Sequence, residues 1–225
     1  MLVPVGITGQ SGGLLQSAID FCLCIPSQET PLIQEVHIGL SISCVNSSKR
    51  NSLLKAIFLD RDGVLNRKAP EGAYVAELRQ FELLPGSLDA LVELYRHAYK
   101  LFVVTNQRGI ATGALSPGAV ERIHRYLLRK VEDAGARIEH VYVCPHDYVD
   151  RCGCRKPLPG MLLQAAQDFN IDLSGSWMIG DSASDIEAGR RAGCRTGFVG
   201  PGRCDAADLS APSLKHLVTQ LLSYR

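Results

Sequence analysis

From about residue 55 onward, five short apolar runs alternate with five stretches of helical periodicity, and no other feature of this 225-residue chain limits its fold as much. The runs lie near 56 to 60, 100 to 105, 138 to 143, 176 to 180 and 195 to 199. Ser87 to Ala98, Pro117 to Ala134, Met161 to Asn170, Ser182 to Ala192 and Ser213 to Tyr224 carry the helical pattern. A short, nearly continuous apolar run suits a strand buried on both faces, and strands alternating with helices build a parallel sheet covered on both sides. The expected class is therefore α/β, a doubly wound Rossmann-like domain. Ser116-Pro117 supplies the second helix with a cap and a first-turn proline.

Residues 1 to 50 read differently. Val3 to Ile7 and Phe21 to Pro26 fit strands, Gly12 to Ile19 and Pro31 to Val45 fit helices, and Ser47 to Ser52 fits a linker. So few elements make a poor core alone, so a partial α/β segment over 1–50 is expected beside a main domain over 51–225. The run Gly6-Ile7-Thr8-Gly9-Gln10-Ser11-Gly12-Gly13 invites a phosphate-loop reading but lacks the Lys-Ser/Thr ending.

A net charge of +1, with 21% charged residues, argues against a nucleic-acid surface. No run reaches the roughly 18 apolar residues of a membrane helix, and Met1 to Gly13 lacks the basic start and apolar core of a signal peptide. A cytoplasmic protein without membrane partners is expected. Its eight cysteines are then reduced thiols, some of them on metal, rather than a disulfide framework.

Asp60 and Asp62 close the first run, Ala56-Ile57-Phe58-Leu59. In an open α/β sheet ligands bind outside the carboxyl ends of the strands, and residues i and i+2 of an extended backbone share a side. Two carboxylates placed there favour a bound cation, or a proton on one of them. Thr105-Asn106-Gln107-Arg108 ends the second run and Arg155-Lys156-Pro157 follows the third. Asp181 follows the fourth, in Gly180-Asp181-Ser182-Ala183-Ser184-Asp185. Singly, each is explained as a helix cap or a turn residue. In order at successive strand ends they offer a carboxylate nucleophile, a metal to offset its charge and cations for the transferred oxygens, which is the inventory of phosphoryl transfer.

Cys144-Pro145-His146 and Cys152-Gly153-Cys154 gather four soft or borderline donors within eleven residues. Four is the number a closed tetrahedral zinc site requires; chance clustering of buried cysteines or a redox pair is the plainer alternative. His97, His124, His140 and His216 have no partner visible in the sequence and read as surface or packing residues.

Asp60-Arg61-Asp62-Gly63-Val64-Leu65-Asn66, Thr105-Asn106-Gln107, Arg155-Lys156-Pro157 and Gly180-Asp181 with Asp185 resemble the four motifs of haloacid-dehalogenase-like phosphatases. The wording is nearest the D-glycero-D-manno-heptose 1,7-bisphosphate 7-phosphatases and their histidinol-phosphatase relatives, over roughly residues 55 to 200. The resemblance implies a Rossmann-like domain with little or no cap. It makes Asp60 the nucleophile that forms an aspartyl-phosphate. Asp62 then protonates the leaving alkoxide and activates water, for which it needs a raised pKa in its protonated stage. Mg2+ is expected on Asp60, the backbone carbonyl of Asp62 and Asp181, with Asp185 one step behind. Thr105 and Lys156 are expected on phosphoryl oxygens, and Asn106, Gln107, Arg108, Arg155 and Ser182 around the rest of the substrate. A structural Zn2+ is implied on Cys144, His146, Cys152 and Cys154. Arg108 stands where the family has a small residue and Ser182 where it has a basic one, and the loop between the zinc pairs is shorter than in the bacterial heptose enzymes.

Gly6 to Gly13, Cys24-Ile25-Pro26-Ser27 and Thr30-Pro31-Leu32-Ile33-Gln34-Glu35-Val36-His37 resemble the last third of a sugar-isomerase domain, similar to sedoheptulose 7-phosphate isomerases. Gln34 matches a metal position of that family, but Ile42 stands where a histidine is expected, so isomerase activity is not implied. By association the segment favours heptose bisphosphate over histidinol phosphate. The expected function is Mg2+-dependent removal of the 7-phosphate of D-glycero-D-manno-heptose 1,7-bisphosphate, in the synthesis of nucleotide-activated heptose for surface glycans. Histidinol-phosphatase and a catalytically idle binding module are the alternatives. The expected partners are a small-molecule sugar phosphate and, through the amino-terminal segment, a sugar-phosphate isomerase, with the chain itself a monomer.

Overall fold

The computed structural model describes residues 53–223 and, before them, the backbone of two strands, Val5–Thr8 (β1) and Phe21–Cys24 (β2), which pair in parallel. The chain forms two compact units, Met1–Ser52 and Leu53–Arg225. The helices expected over Gly12 to Ile19 and Pro31 to Val45, the glycine-rich stretch beyond Thr8, and Gln34 fall outside the described residues.

The second unit is built on six strands: Ala56–Leu59 (β3), Lys100–Asn106 (β4), Ile138–Cys144 (β5), Trp177–Gly180 (β6), Arg195–Val199 (β7) and Leu209–Ala211 (β8). They pair in the order β5-β4-β3-β6-β7-β8, every neighbour parallel. The helices are Ser87–Arg96 (α1), Pro117–Asp133 (α2), Gly160–Phe169 (α3), Ala183–Ala192 (α4) and Leu214–Ser223 (α5). β8 is the one strand the apolar runs do not announce. It is three residues long with a serine at its centre, and it is reached through Asp208, whose Oδ2 accepts from Thr196 N at 2.6 Å.

Alternation along the strands divides the core between the two faces of the sheet. Ile57, Leu59, Leu101, Val103, Trp177 and Ile179 pack against α1, α2 and α5 on one side. Ala56, Phe58, Phe102, Val104 and Met178 pack against α3 and α4 on the other. β3 and β6 are buried along their whole length, which is why their sequences are unbroken apolar runs rather than alternating ones. α2 begins where its cap predicts: Ser116 Oγ accepts from Ala119 N at 3.1 Å and Pro117 takes the first turn. Its buried stripe of Val120, Ile123, Leu127 and Val131 lies against the sheet, each such side chain contributing about 1.5 to 3 kcal/mol by burial.

From β3 the chain runs outward through β4 to β5, then returns to β6 beside β3 and proceeds through β7 to β8. The strand order reverses between β3 and β6, and a crevice opens at the carboxyl ends on either side of such a reversal. Between β3 and α1 the chain has only isolated bridges and a single 3-10 turn, Leu78–Gln80, so among the described residues no separate cap domain stands over that crevice.

Candidate active site

Asp60 leaves the end of β3, and its backbone N–H donates to Ile179 O at 2.9 Å, holding the β3 and β6 ends together. Lys156 enters from the loop before α3 and is buried. Its Nζ lies 2.9 Å from Asp60 Oδ1 and 2.6 Å from Asp185 Oδ1, and donates to Val104 O at 2.8 Å. Asn106 fixes that lysine by its backbone: Asn106 Nδ2 donates to Lys156 O and Lys156 N donates to Asn106 Oδ1, both at 3.1 Å. Burial pushes the Asp60 carboxyl up to about 7, Lys156 opposing and Asp185 adding to the rise. Burial also acts to lower Lys156, but Asp60 and Asp185 outweigh it and hold the ammonium charged.

Asp62 is held in the opposite sense. Arg61 Nη2 donates to its Oδ2 at 2.7 Å and Oδ1 at 3.0 Å, Asn66 Nδ2 donates to Oδ1 at 2.9 Å, and Gln107 Nε2 donates to Oδ2 at 3.0 Å. Burial would raise this carboxyl, but Arg61 and the amide donors outweigh it and keep it below the usual carboxylate range. The raised pKa expected for Asp62 is therefore not what this arrangement gives: the resting site favours its anion.

Asp181 follows β6. Its Oδ2 accepts from Lys68 Nζ at 2.8 Å, while its Oδ1 is buried with no hydrogen-bond partner. One carboxylate oxygen from each of Asp60, Asp181 and Asp185 lies within 4.8 Å of the others. Two glycines make this closeness sterically feasible. A Cβ on Gly63, at φ +96°, would stand 2.2 Å from Asp181 Oδ2, and one on Gly180 would stand 2.1 Å from Asp185 Cβ. An orphaned carboxylate oxygen beside two further acids is the donor set that suits a hard divalent cation.

The remaining expected contacts divide. Gln107, buried, also donates to Thr105 Oγ1 at 2.9 Å. Ser182 caps α4, its N–H and Oγ donating to Asp185 Oδ2 at 3.1 and 2.6 Å. Asn106, Gln107 and Ser182, expected around the substrate, thus spend their polar atoms on Lys156, Asp62 with Thr105, and Asp185. Arg108 and Arg155 stand at the rim instead, their guanidinium carbons 5.0 and 4.3 Å from the centre of the exposed Tyr148 ring. Arg108 is also paired with Asp147 at 2.5 Å. Arg155 and Tyr148 help line a cleft of about 180 Å³ that reaches Lys156.

The four donors of the cysteine cluster converge. Cys144 Sγ lies 3.6 Å from both His146 Nδ1 and Cys152 Sγ, and Cys154 Sγ lies 3.3 Å from His146 Nδ1 and 3.5 Å from Cys152 Sγ. Tetrahedral zinc with ordinary bond lengths sets neighbouring donors roughly 3.5 to 3.8 Å apart. Burial raises Cys144, and burial with the adjoining thiols takes Cys154 up to about 12. At Cys152 hydrogen bonds outweigh burial and lower the thiol to about 7. Three thiols so placed ionise together only when a cation binds them.

A family model for HAD-like hydrolases matches residues 153–223. The D-glycero-beta-D-manno-heptose-1,7-bisphosphate 7-phosphatase of Pasteurella multocida is 43% identical over 144 residues, covering 61% of this chain and 77% of that protein. The chain belongs to this phosphatase family. The Pseudomonas putida enzyme of the same name is 38% identical, with 67% of this chain and 85% of the relative covered. Among solved structures, the D,D-heptose 1,7-bisphosphate phosphatase of B. bronchiseptica, complexed with magnesium and phosphate, superposes with a TM-score of 0.69 at 32% identity. The match covers 76% of this chain and 99% of that one. The corresponding Burkholderia thailandensis phosphatase gives a TM-score of 0.57 at 27% identity, over 76% of this chain and 99% of that one.

Within the heptose bisphosphate phosphatase family, this chain's site holds three groups that the sequence reading left without a role or a partner. Arg61 received no role of its own within Asp60-Arg61-Asp62, yet it is one of the largest fully buried side chains. His124 is a buried histidine 2.9 Å from Arg61 Nη1, where no partner was expected. Lys68 reaches across to Asp181 from a loop with no motif. An arginine inside a carboxylate motif was the available signal for the first; no sequence signal marks the other two. Of the other histidines read as surface or packing residues, His97 bonds its own helix at Glu93 O, His216 bonds Ser213, and His140 packs on Tyr142.

Proposed function

We propose that this protein is a Mg2+-dependent phosphomonoesterase that removes the 7-phosphate of D-glycero-D-manno-heptose 1,7-bisphosphate. The observation that carries the reading is the buried Lys156 ammonium bridging Asp60 and Asp185 at the reversal of strand order, in a chain 43% identical to a phosphatase of that name. Asp60 attacks the phosphorus, the ester bond to the sugar oxygen breaks, and Asp62 gives that oxygen its proton. Water then attacks the aspartyl-phosphate, losing its proton to Asp62, and releases phosphate and a restored Asp60. Thr105 and Lys156 hold phosphoryl oxygens, while Asn106 keeps Lys156 in place. The donors around Asp62 favour its anion at rest; an arriving phosphate dianion opposes them and favours the protonated carboxyl that the first step requires. Bound Mg2+ neutralises charge on Asp60 and on the phosphoryl oxygens. Its ligands in this reading are Asp60, the Asp62 carbonyl and Asp181, whose buried Oδ1 is otherwise unpaired.

Arg108, Arg155 and Tyr148 form the rim that meets the rest of the sugar phosphate. Zn2+ on Cys144, His146, Cys152 and Cys154 staples that rim in a structural role, since four protein ligands leave no open position for water. In this reading residues 1–50 are a sugar-isomerase-like segment beside a phosphatase domain over 51–225. Among the described residues no helix is long and apolar enough to cross a membrane; a cytoplasmic monomer acting on a sugar phosphate is part of the same reading.

Phosphate release from a panel of sugar bisphosphates and histidinol phosphate, with and without Mg2+, tests the reading. Mg2+-dependent release is expected to be fastest with heptose 1,7-bisphosphate, leaving the 1-phosphate. Preference for histidinol phosphate moves the assignment to histidinol-phosphatase, and no release from any substrate leaves an idle binding module.

A further inference from the structure

Arg61 is buried to 1% exposure and its guanidinium faces two ways. Nη2 and Nε address Asp62, Nη2 at 2.7 and 3.0 Å and Nε at 3.3 Å. Nη1 meets Nε2 of His124, one of the buried residues of α2, at 2.9 Å. Burial and the neighbouring Arg61 lower His124 to about 4, so at neutral pH the ring is uncharged and Nε2 is free to accept. A guanidinium buried with an unmet Nη1 would lose a charge-assisted hydrogen bond or turn to find one elsewhere. Of the groups that hold Asp62, Gln107 is also anchored on Thr105 and Arg61 on His124, and it is Arg61 that ties Asp62 to helix α2.

We propose that His124 is a positioning residue: by accepting from Arg61 Nη1 it fixes the guanidinium plane that presents the Asp62 carboxylate to the leaving oxygen, coupling helix α2 to proton transfer. The chain Asp62–Arg61–His124 runs from the strand end into the helix layer. It explains why a polar ring occupies a stripe otherwise made of Val120, Ile123, Leu127 and Val131. A histidine that merely filled space would be replaced by an apolar side chain without consequence for the chemistry. One that orients Arg61 is replaceable only by a side chain that accepts at the same point.

This inference rests on the phosphatase reading and on Asp62 as proton donor, and its test separates the two. A leaving group that departs as a stable anion needs little protonation, whereas a sugar alkoxide needs it fully. kcat and KM of the full chain with Mg2+ are compared for heptose 1,7-bisphosphate and for 4-nitrophenyl phosphate, in wild type, His124→Leu, His124→Gln and Asp60→Asn. His124→Leu is expected to lower kcat on the sugar ester about tenfold or more, within the range general acid catalysis supplies. KM and the 4-nitrophenyl rate should stay within about twofold, and His124→Gln, which keeps an acceptor, should restore most of the sugar rate. Equal losses on both esters, or a Gln variant no better than Leu, overturn the positioning role. If His124→Leu does not fold, His124→Asn takes its place, its amide too short to meet Arg61 Nη1: a selective loss on the sugar ester beside near-wild-type rates for His124→Gln supports the proposal, and equal rates for the Asn and Gln variants refute it. Turnover by Asp60→Asn overturns the phosphatase mechanism itself.

Discussion

Asp60→Asn should abolish turnover and, without magnesium, make the protein more stable above neutral pH. Asp60 is held with its carboxyl raised from 3.8 to about 7, burial being the largest cause and Asp185 and Asp62 adding to it against Lys156. A carboxyl whose folded pKa lies above its unfolded one lends stability below the unfolded value, and that stability is lost as pH rises through the folded value. The metal-free fold therefore weakens between about pH 4 and pH 7 as Asp60 is forced to ionise. Each tenfold in proton affinity is about 1.4 kcal/mol, so the interval corresponds to roughly 4 kcal/mol. Because Asp60 titrates together with Lys156 and Asp185, about half of this, roughly 2 kcal/mol, is taken as belonging to Asp60 itself. Asparagine cannot ionise and still accepts from Lys156, so it escapes that loss. At roughly 2 to 4 °C per kcal/mol for a chain of this size, the variant should melt about 4 to 8 °C above wild type at pH 8 and within a degree or two of it at pH 4. The measurement is a calorimetric or dye-monitored melt across that pH range in magnesium-free buffer, with no chelator that would strip the cysteine cluster. Added Mg2+ should close the gap by stabilising wild type alone. An Asp60→Asn protein no more stable than wild type at pH 8, or equally stabilised at pH 4 and pH 8, refutes the account of a strained, cation-seeking carboxylate.

Two further outcomes follow from the same geometry. Asn106→Ala removes both hydrogen bonds to the Lys156 backbone and should cut kcat about ten- to hundredfold while costing only about 1 to 2 kcal/mol of stability, read by kinetics beside urea titration. Cys152→Ala leaves three donors in the cysteine cluster; bound zinc measured by mass spectrometry should drop below stoichiometric, with a lower melting temperature and a raised KM, because the loop it ties carries Tyr148 and Arg155.

Much of the site was legible because its residues sit at strand ends. Apolar runs such as Ala56 to Leu59 and Trp177 to Gly180 name strands that must be buried, and acids placed right after them name a crevice. The cysteine cluster was legible because its four donors are close in the chain. β8 was not, because three residues with a central serine carry no periodicity. His124 and Arg61 lie 63 positions apart, and Lys68 and Asp181 lie 113 apart. No local pattern records a pairing that only the folded sheet brings about.

The sequence alone determined the order of elements, the parallel sheet they imply and the identity of the groups at its edge, since periodicity and strand-end position are local properties of the chain. Tertiary structure decided what each group does there. It buried Asp60 against Asp185 and surrounded Asp62 with donors, so that two aspartates two residues apart titrate in opposite directions. It also turned Asn106, Gln107 and Ser182 inward to hold the machinery, and placed an uncharged His124 behind Arg61. The physical reason is that charge, desolvation and hydrogen-bond supply depend on neighbours in space, which strand and helix packing assembles from distant parts of the chain.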